Sequence, residues 1–314
     1  MLCSGARFIK QERHGKQLQN FNHTMHKSGF VNIIGCPNVG KSTLMNAWLG
    51  EKLSIVTSKA QTTRHRIMGI LNSEEYQIVF SDTPGIIKPH YKLQEKMMEF
   101  VIHSFEDADV FILMTDVFED IQLEEAFLTR LQKVDVPILL LINKIDVSSQ
   151  EAVEKKAEEW KLKLPRAELF AISAITKFNL DVVLKRIVQL LPESAAYYDK
   201  EALTDKSERF YVSEIIREKI LINYKQEIPY SVEVIINSFK DDKDLLKIQA
   251  DILVERDSQK GIIIGNKGKA LTKTGSSARK DLEKFFGKKV FLQLFVKVDN
   301  DWRSNDKRLA QFGY

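Results

Sequence analysis

Only two cysteines, Cys3 and Cys36, occur in 314 residues, so a disulfide-built scaffold is excluded and a reducing, cytoplasmic setting is expected. No apolar run approaches the ~20 residues that a membrane helix needs. Residues 1–27 lack the apolar core of a secretory signal and show no period, so a disordered tail is expected there. Arg7, Lys10, Arg13 and Lys16 against Glu12 leave an organelle-transit reading open, and Met25 is open as a natural start. A strong overall charge is also missing: 47 basic and 43 acidic residues leave a net charge of +4. The excess is uneven. Residues 206–314 hold 22 basic against 16 acidic side chains, and 260–297 hold ten against two. That segment is either a solvated face or the seat of a polyanion.

What is present begins at Gly35, Cys36, Pro37, Asn38, Val39, Gly40, Lys41 and Ser42, a fit to G-x-x-x-x-G-K-[ST]. The apolar run Phe30 to Ile34 precedes it as a strand, and Thr43 opens a helical pattern to Leu49. Glycines let backbone N–H groups close on phosphate oxygens, and the helix points its positive end at the anion. Lys41 is placed to reach the β- and γ-phosphates, and the Ser42 hydroxyl to hold Mg²⁺.

Downstream, strands and helices alternate. Ile67–Leu71 and Tyr76–Ser81 form a hairpin, helices are expected over 92–106, 120–133, 151–163 and 180–191, and strands over 110–114, 138–142 and 168–172. Residues 51–66 read as an exposed loop. This predicts an α/β phosphate-loop domain over 28–191, with a mainly parallel sheet covered by helices on both faces. Polar, aperiodic residues 192–208 are expected to be a linker. Beyond them the order α-β-β-α-α-β predicts a smaller α+β domain over 209–314, with a C-terminal tail.

Four further stretches fall at the carboxyl ends of strands or in adjoining loops, where open parallel sheets bind ligands. Asp82, Thr83, Pro84 and Gly85 (DTPG) supply a carboxylate for Mg²⁺ and an N–H for the γ-phosphate. In Asn143 to Asp146 (NKID), Asp146 can accept from guanine N1–H and its 2-amino group, donors that adenine lacks. Asn143 is expected to brace the site, and the Lys144 stem to cover the base. Ser173-Ala174 offers a backbone N–H to guanine O6. In Gln61, Thr62, Thr63, Arg64 and His65 (QTTRH), either Thr62 or Thr63 could complete the Mg²⁺ shell. Together these predict GTP as substrate; an ATP-dependent kinase conflicts with NKID.

In the second domain, Gly265, Asn266, Lys267 and Gly268 form a GxxG turn after Lys260 to Ile264. Such a turn brings N–H groups and the Lys267 and Lys269 charges against a sugar–phosphate backbone. Ile263 is expected in an apolar wall for bases, with Arg279 further along the next helix. The order and the turn match a type II KH domain, which clamps about four single-stranded nucleotides.

The five motifs look like those of translation-factor-type GTPases. The stretches SKAQTTRHRIMGI, YYDKEALTDKSERFYVSEIIREKIL and KGIIIGNKGKALTKTGSSAR, with the ending FGY, resemble the Era GTPase family over residues 28–314. The resemblance implies a monomer that binds the 3′ end of 16S rRNA and acts in small (30S) ribosomal subunit assembly. It also implies peripheral contact with the cytoplasmic face of the inner membrane.

One departure bears on catalysis. Many GTPases orient the attacking water with a Gln directly after the D-x-x-G glycine; here Ile86 stands there, as in the Era-like class. Charge stabilisation by Lys41, Mg²⁺ and backbone N–H groups around Asp82 and Gly85 remains. Asn38 is a candidate K⁺ ligand, as in related GTPases, or a brace for its own loop. The alternative function is an RNA chaperone that holds GTP as a structural ligand with negligible turnover. Ordering of 51–66 and 85–92 is expected to change how the KH domain is presented across the linker.

Overall fold

The computed structural model describes residues 26–118 and 125–314. The expected tail falls almost wholly on residues 1–25, outside the described residues, although the His26 Nδ1–H already donates to Ser194 O (3.0 Å). Of the helix expected over 120–133, Glu125–Lys133 is described.

Six strands form the first sheet: β1 (Lys27–Ile34), β2 (Ile67–Asn72), β3 (Tyr76–Asp82), β4 (Val110–Asp116), β5 (Ile138–Asn143) and β6 (Glu168–Ala171). Their order is β2-β3-β1-β4-β5-β6, parallel except for the β2–β3 hairpin. The continuous apolar runs arise because both faces are covered. On β4, Val110, Ile112 and Met114 meet helices α1 (Lys41–Leu49) and α5 (Leu180–Leu190). Phe111 and Leu113 point the other way, toward α2 (Lys92–His103), α3 (Glu125–Lys133) and α4 (Gln150–Lys163).

The second domain runs α6 (Glu208–Asn223), β7 (Glu233–Asp241), β8 (Leu245–Val254), α7 (Asp257–Ile264), α8 (Lys269–Phe286), β9 (Lys289–Val298) and α9 (Asp306–Gln311). Its sheet order is β7-β8-β9, with β8 and β9 parallel. Val290 and Val296 of β9 join Ile263, Ala278 and Leu282 in its core.

Two segments differ from expectation. Residues 192–208 are not a free linker; they line the open edge of the first sheet. The Ile70 N–H donates to Leu203 O (2.9 Å), and Thr204 forms a bridge with Gly69. Buried Gln77 accepts from the Tyr197 and Tyr198 N–H groups. Polar sequence suits this role because the contacts are made by backbone groups of an edge strand.

The loop 51–66 is not exposed either. Leu53 and Ile55 are buried, and Asn46 folds the start of the loop by accepting from the N–H groups of Leu53 and Ser54 (both 3.0 Å). Its far side packs on the second domain. The buried Arg64 guanidinium donates to Val232 O (2.7 Å) and Pro229 O (3.3 Å), and Glu218 on α6 accepts from Lys52 and the Val56 N–H. The C-terminal segment closes the same seam: Trp302 and Leu309 are fully buried in the cluster that holds Ile86, Leu93 and Met97.

Candidate nucleotide site and RNA groove

Backbone geometry builds the phosphate loop first. Gly40 has φ +107°, and a Cβ there would lie 2.3 Å from the Asn143 amide; Gly85 approaches Pro37 so closely that a Cβ would meet its backbone N at 2.7 Å. A side chain at Gly40 would be strained and would displace the Asn143 amide, and one at Gly85 would displace the Pro37 backbone. The Ile86 N–H donates to Gly35 O (3.0 Å), tying DTPG to the loop. Thr83 is buried with its hydroxyl on Ile33 O, beside buried Pro84.

Around this loop lies a cavity of about 350 Å³, lined by Pro37, Asn38, Gly40 to Thr43, Ile55 to Lys59, Gln61 to Thr63, Gly85, Asn143, Lys144, Asp146 and Ile175. The Lys41 ammonium donates to Gly35 O (2.9 Å) and Cys36 O (2.8 Å), so it lies over the loop's own carbonyls. Val39 is buried beneath.

At the far end of Lys41's helical turn, three oxygens converge. Ser42 Oγ lies 2.6 Å from Asp82 Oδ2 and 2.9 Å from Thr63 Oγ1. Thr62 turns away, its hydroxyl on Lys59 O (2.6 Å) and Thr57 Oγ1 (2.7 Å). Of the two threonines left open by the sequence, the structure brings Thr63 to this cluster. Burial pushes the Asp82 carboxyl above its ordinary range, against the Ser42 hydrogen bond and the Lys41 charge. Asp82 Oδ1 is buried and accepts no hydrogen bond among the described residues. A buried carboxylate oxygen without a partner is costly unless a cation meets it, and oxygen donors with few carboxylates are the Mg²⁺ type. The residues fit that ion.

The base end is braced as expected. The Asn143 amide donates to Val39 O (2.8 Å), and its Oδ1 accepts from the Ala174 N–H (2.9 Å). That last bond commits the N–H expected to face guanine O6, so Ala174 acts here on Asn143. Ser173 Oγ accepts from the Thr176 N–H. Lys144, at φ +65°, pairs with Asp116, and Asp146 stands exposed on the turn that follows. Ile175, 77% exposed, borders the base end and escaped sequence reasoning; its only signal is an apolar residue directly after Ser-Ala.

Other expected switch residues serve the domain seam. His65 stacks on Tyr314 (ring centroids 4.2 Å) and meets Phe210 edge-on. Burial pushes its pKa down to about 4, against Glu214 and with Arg217, so it is neutral at pH 7. The Tyr314 hydroxyl donates to Glu233 (2.8 Å). Gln61 accepts from the Tyr91 hydroxyl (2.9 Å), and the Arg303 guanidinium lies 4.9 Å over the Tyr91 ring. Asn38 donates to Ser58 O (3.2 Å), across to the neighbouring loop rather than within its own. Ile86 is 5% exposed and packs among apolar side chains.

In the second domain the GxxG turn links α7 to α8, with positive φ at Gly265, Lys267 and Gly268. Asn266, Lys267 and Lys269 are exposed. Beside it a groove of about 450 Å³ runs between α8 and β9, bordered by Leu271, Gly275, Arg279, Phe291 and Gln293. Ile263 is not on its wall: it is fully buried in the core, its carbonyl accepting from the Tyr224 hydroxyl (2.7 Å), and Ile262 is the exposed neighbour.

A family model described as a 50S ribosome-binding GTPase matches residues 30–144, and a KH-domain model matches 227–303. GTPase Era of Caldanaerobacter subterraneus subsp. tengcongensis is 45% identical over 292 residues, covering 92% of this chain and 98% of that one. GTPase Era of Staphylococcus epidermidis is 43% identical over 93% of this chain and 98% of that one. Among solved structures, Era in complex with MgGDPNP and nucleotides 1506–1542 of 16S ribosomal RNA superposes with a TM-score of 0.88 at 39% identity, covering 92% of this chain and 99% of that one. An Aquifex aeolicus Era variant bound to GDP and AlF₄⁻ does so with the same score and coverage at 40% identity. With the phosphate loop, the base-end turn and the GxxG groove in place on one chain, this protein belongs to the Era GTPase family.

Proposed function

We propose that this chain is a GTP-hydrolysing switch that binds the 3′ end of 16S rRNA through its KH groove and acts in small-subunit assembly. The observation that carries the reading is that one loop, 51–66, lines the nucleotide cavity with Thr63 and holds the KH domain with Arg64. A change at the γ-phosphate therefore reaches the second domain by direct contact, and the ordered 192–208 strap is not needed as the messenger.

Ser42, Thr63 and Asp82 would hold Mg²⁺, which supplies charge neutralisation between the phosphates. Lys41 and the N–H groups of the 35–43 loop stabilise charge that develops on the transferred phosphoryl, and the Gly85 N–H faces the same group. Asp146 reads the base; Asn143 and Lys144 hold the turn that presents it. Gly265, Lys267, Gly268, Lys269 and Arg279 contact the RNA backbone. Ile86, enclosed by apolar side chains, does not orient water, and this favours the second reading, an RNA chaperone with GTP as structural ligand.

Phosphate release under single-turnover conditions, with and without a short copy of the rRNA 3′ end and a scrambled control, separates the two. Stimulation by the true sequence is expected. No release under any condition would leave only the chaperone. Asn38 as a K⁺ ligand predicts faster turnover in KCl than in NaCl at matched ionic strength, and equal rates would remove that role. Peripheral membrane contact rests on resemblance alone; no helix among the described residues is long and apolar enough to cross a membrane. Flotation with anionic vesicles tests it, and protein left wholly at the bottom would end it.

A further inference from the structure

The KH sheet has a face that the helices of the described residues leave uncovered and that the groove meets only at its edge. Along β9, Val290 and Val296 are buried while Lys289, Phe291, Gln293, Phe295 and Lys297 are all exposed. Phe291 is 53% and Phe295 44% exposed, on a strand whose outer edge pairs with no other among the described residues. The strand registers carry this face inward: Lys247 lies beside Phe291, and Lys240 lies opposite Lys247.

Stability does not call for this arrangement. Lysines are a usual guard on an edge strand, but large exposed rings on the same edge work against that purpose. Like charges directly opposite across an antiparallel pair cost stability. The lysines are partly answered by carboxylates, Asp251 pairing with Lys297 (2.6 Å), Asp242 with Lys247 (2.8 Å) and Asp241 with Lys288 (2.8 Å), while Lys240 and Lys289 add further positive charge. Flat rings about 13 Å apart along the strand, among net positive charge, are the composition of a stacking platform for single-stranded nucleic acid. The face also joins the groove, because Phe291 and Gln293 border both.

We propose that this sheet face is a second seat for single-stranded RNA, entered from the GxxG groove across the edge of β9, with bases stacked on Phe291 and Phe295 and phosphates over Lys240 and Lys247. It rests on the RNA reading above and extends it to a longer strand than the groove alone can clamp.

The test uses the full chain and two labelled single-stranded RNAs of the rRNA 3′ end, one of about four nucleotides that fills only the groove and one of sixteen. The Phe295→Ala variant, at an exposed position that does not border the groove, is expected to bind the long RNA at least tenfold more weakly and the short one unchanged. Lys240→Gln/Lys247→Gln is expected to lower the log–log salt slope for the long RNA by about 1.4, at roughly 0.7 per phosphate on a single strand. Long-RNA affinity and salt slope equal to the parent's in both variants would overturn the proposal. So would a phenylalanine-dependent dimer in sedimentation with no change in RNA affinity, which would make the face a contact between copies. A Gly265→Asp variant separates the two readings. Loss of short-RNA binding with residual long-RNA binding leaves the second seat standing. A parent that binds neither RNA fails the RNA reading itself.

Discussion

Asp146→Asn is expected to weaken GTP binding by about 10²–10⁴, because two charge-assisted bonds to the base, at about 1.5–3 kcal/mol each, are lost. The side chain stands exposed at the base end of the cavity, so the change perturbs no packing. The same substitution should reverse the base preference. Xanthine keeps N1–H but presents a carbonyl where guanine has its 2-amino group, and an Asn side chain can accept from the first and donate to the second. Displacement of a fluorescent nucleotide by GTP and XTP measures both effects. A variant that still ranks GTP above XTP would remove Asp146 from base recognition. Asn143 is a poor alternative, since both ends of its amide are committed to Val39 and Ala174.

Arg217→Met should have the largest effect on stability. Arg217 is 1% exposed, donates twice to Glu214 (2.7 and 2.6 Å), and donates to Thr62 O of the nucleotide-lining loop. Burial alone would push the Glu214 carboxyl up, but the charge and hydrogen bonds of Arg217, with the nearby Arg64 charge, together hold Glu214 below its ordinary range. Removing the cation leaves a buried carboxylate unpaired, a loss of about 3–5 kcal/mol. Adding Glu214→Gln removes the stranded charge and should restore most of that stability, since a buried pair contributes little beyond neutralising itself. Thermal unfolding of both variants decides. A single variant as stable as the parent would show that the seam is held by other contacts. Because Thr62 loses its partner as well, GTP turnover should become less responsive to RNA in both variants.

The sequence made the chemistry legible where residue type and spacing alone define a task. Lys41, Ser42 and Gly85 line one cavity, with Asp82 bonded to Ser42 behind it, because a phosphate loop and a strand-end turn leave little freedom. Choices between neighbours were not legible. Thr62 and Thr63 are chemically alike, and only the backbone path decides which faces Ser42. Ile262, Ile263 and Ile264 are consecutive on a helix of eight residues, too short for a period to show which one is buried. Segments that bind by backbone or by a few scattered side chains were also hidden. Residues 192–208 dock through peptide groups and through polar side chains such as Thr204 and Asp205, so no apolar period marks them. The C-terminal segment carries Trp302, Leu309 and Tyr314 too far apart for a pattern, yet each is inserted at the seam.

That insertion has a consequence in time. His65 and Tyr314 lie almost a whole chain apart, and synthesis at about 5–20 residues per second separates their emergence by roughly 12–50 s. The nucleotide domain ends near residue 191, so only for about the last 6–25 s of that interval can it be complete while the far side of its 51–66 loop lacks its full support. Each newly made molecule therefore passes first through a form in which the loop answers to the nucleotide alone. It comes under the control of the second domain in stages, as Arg217, Glu218 and Val232 reach the loop and the Tyr314 ring stacks on His65 last.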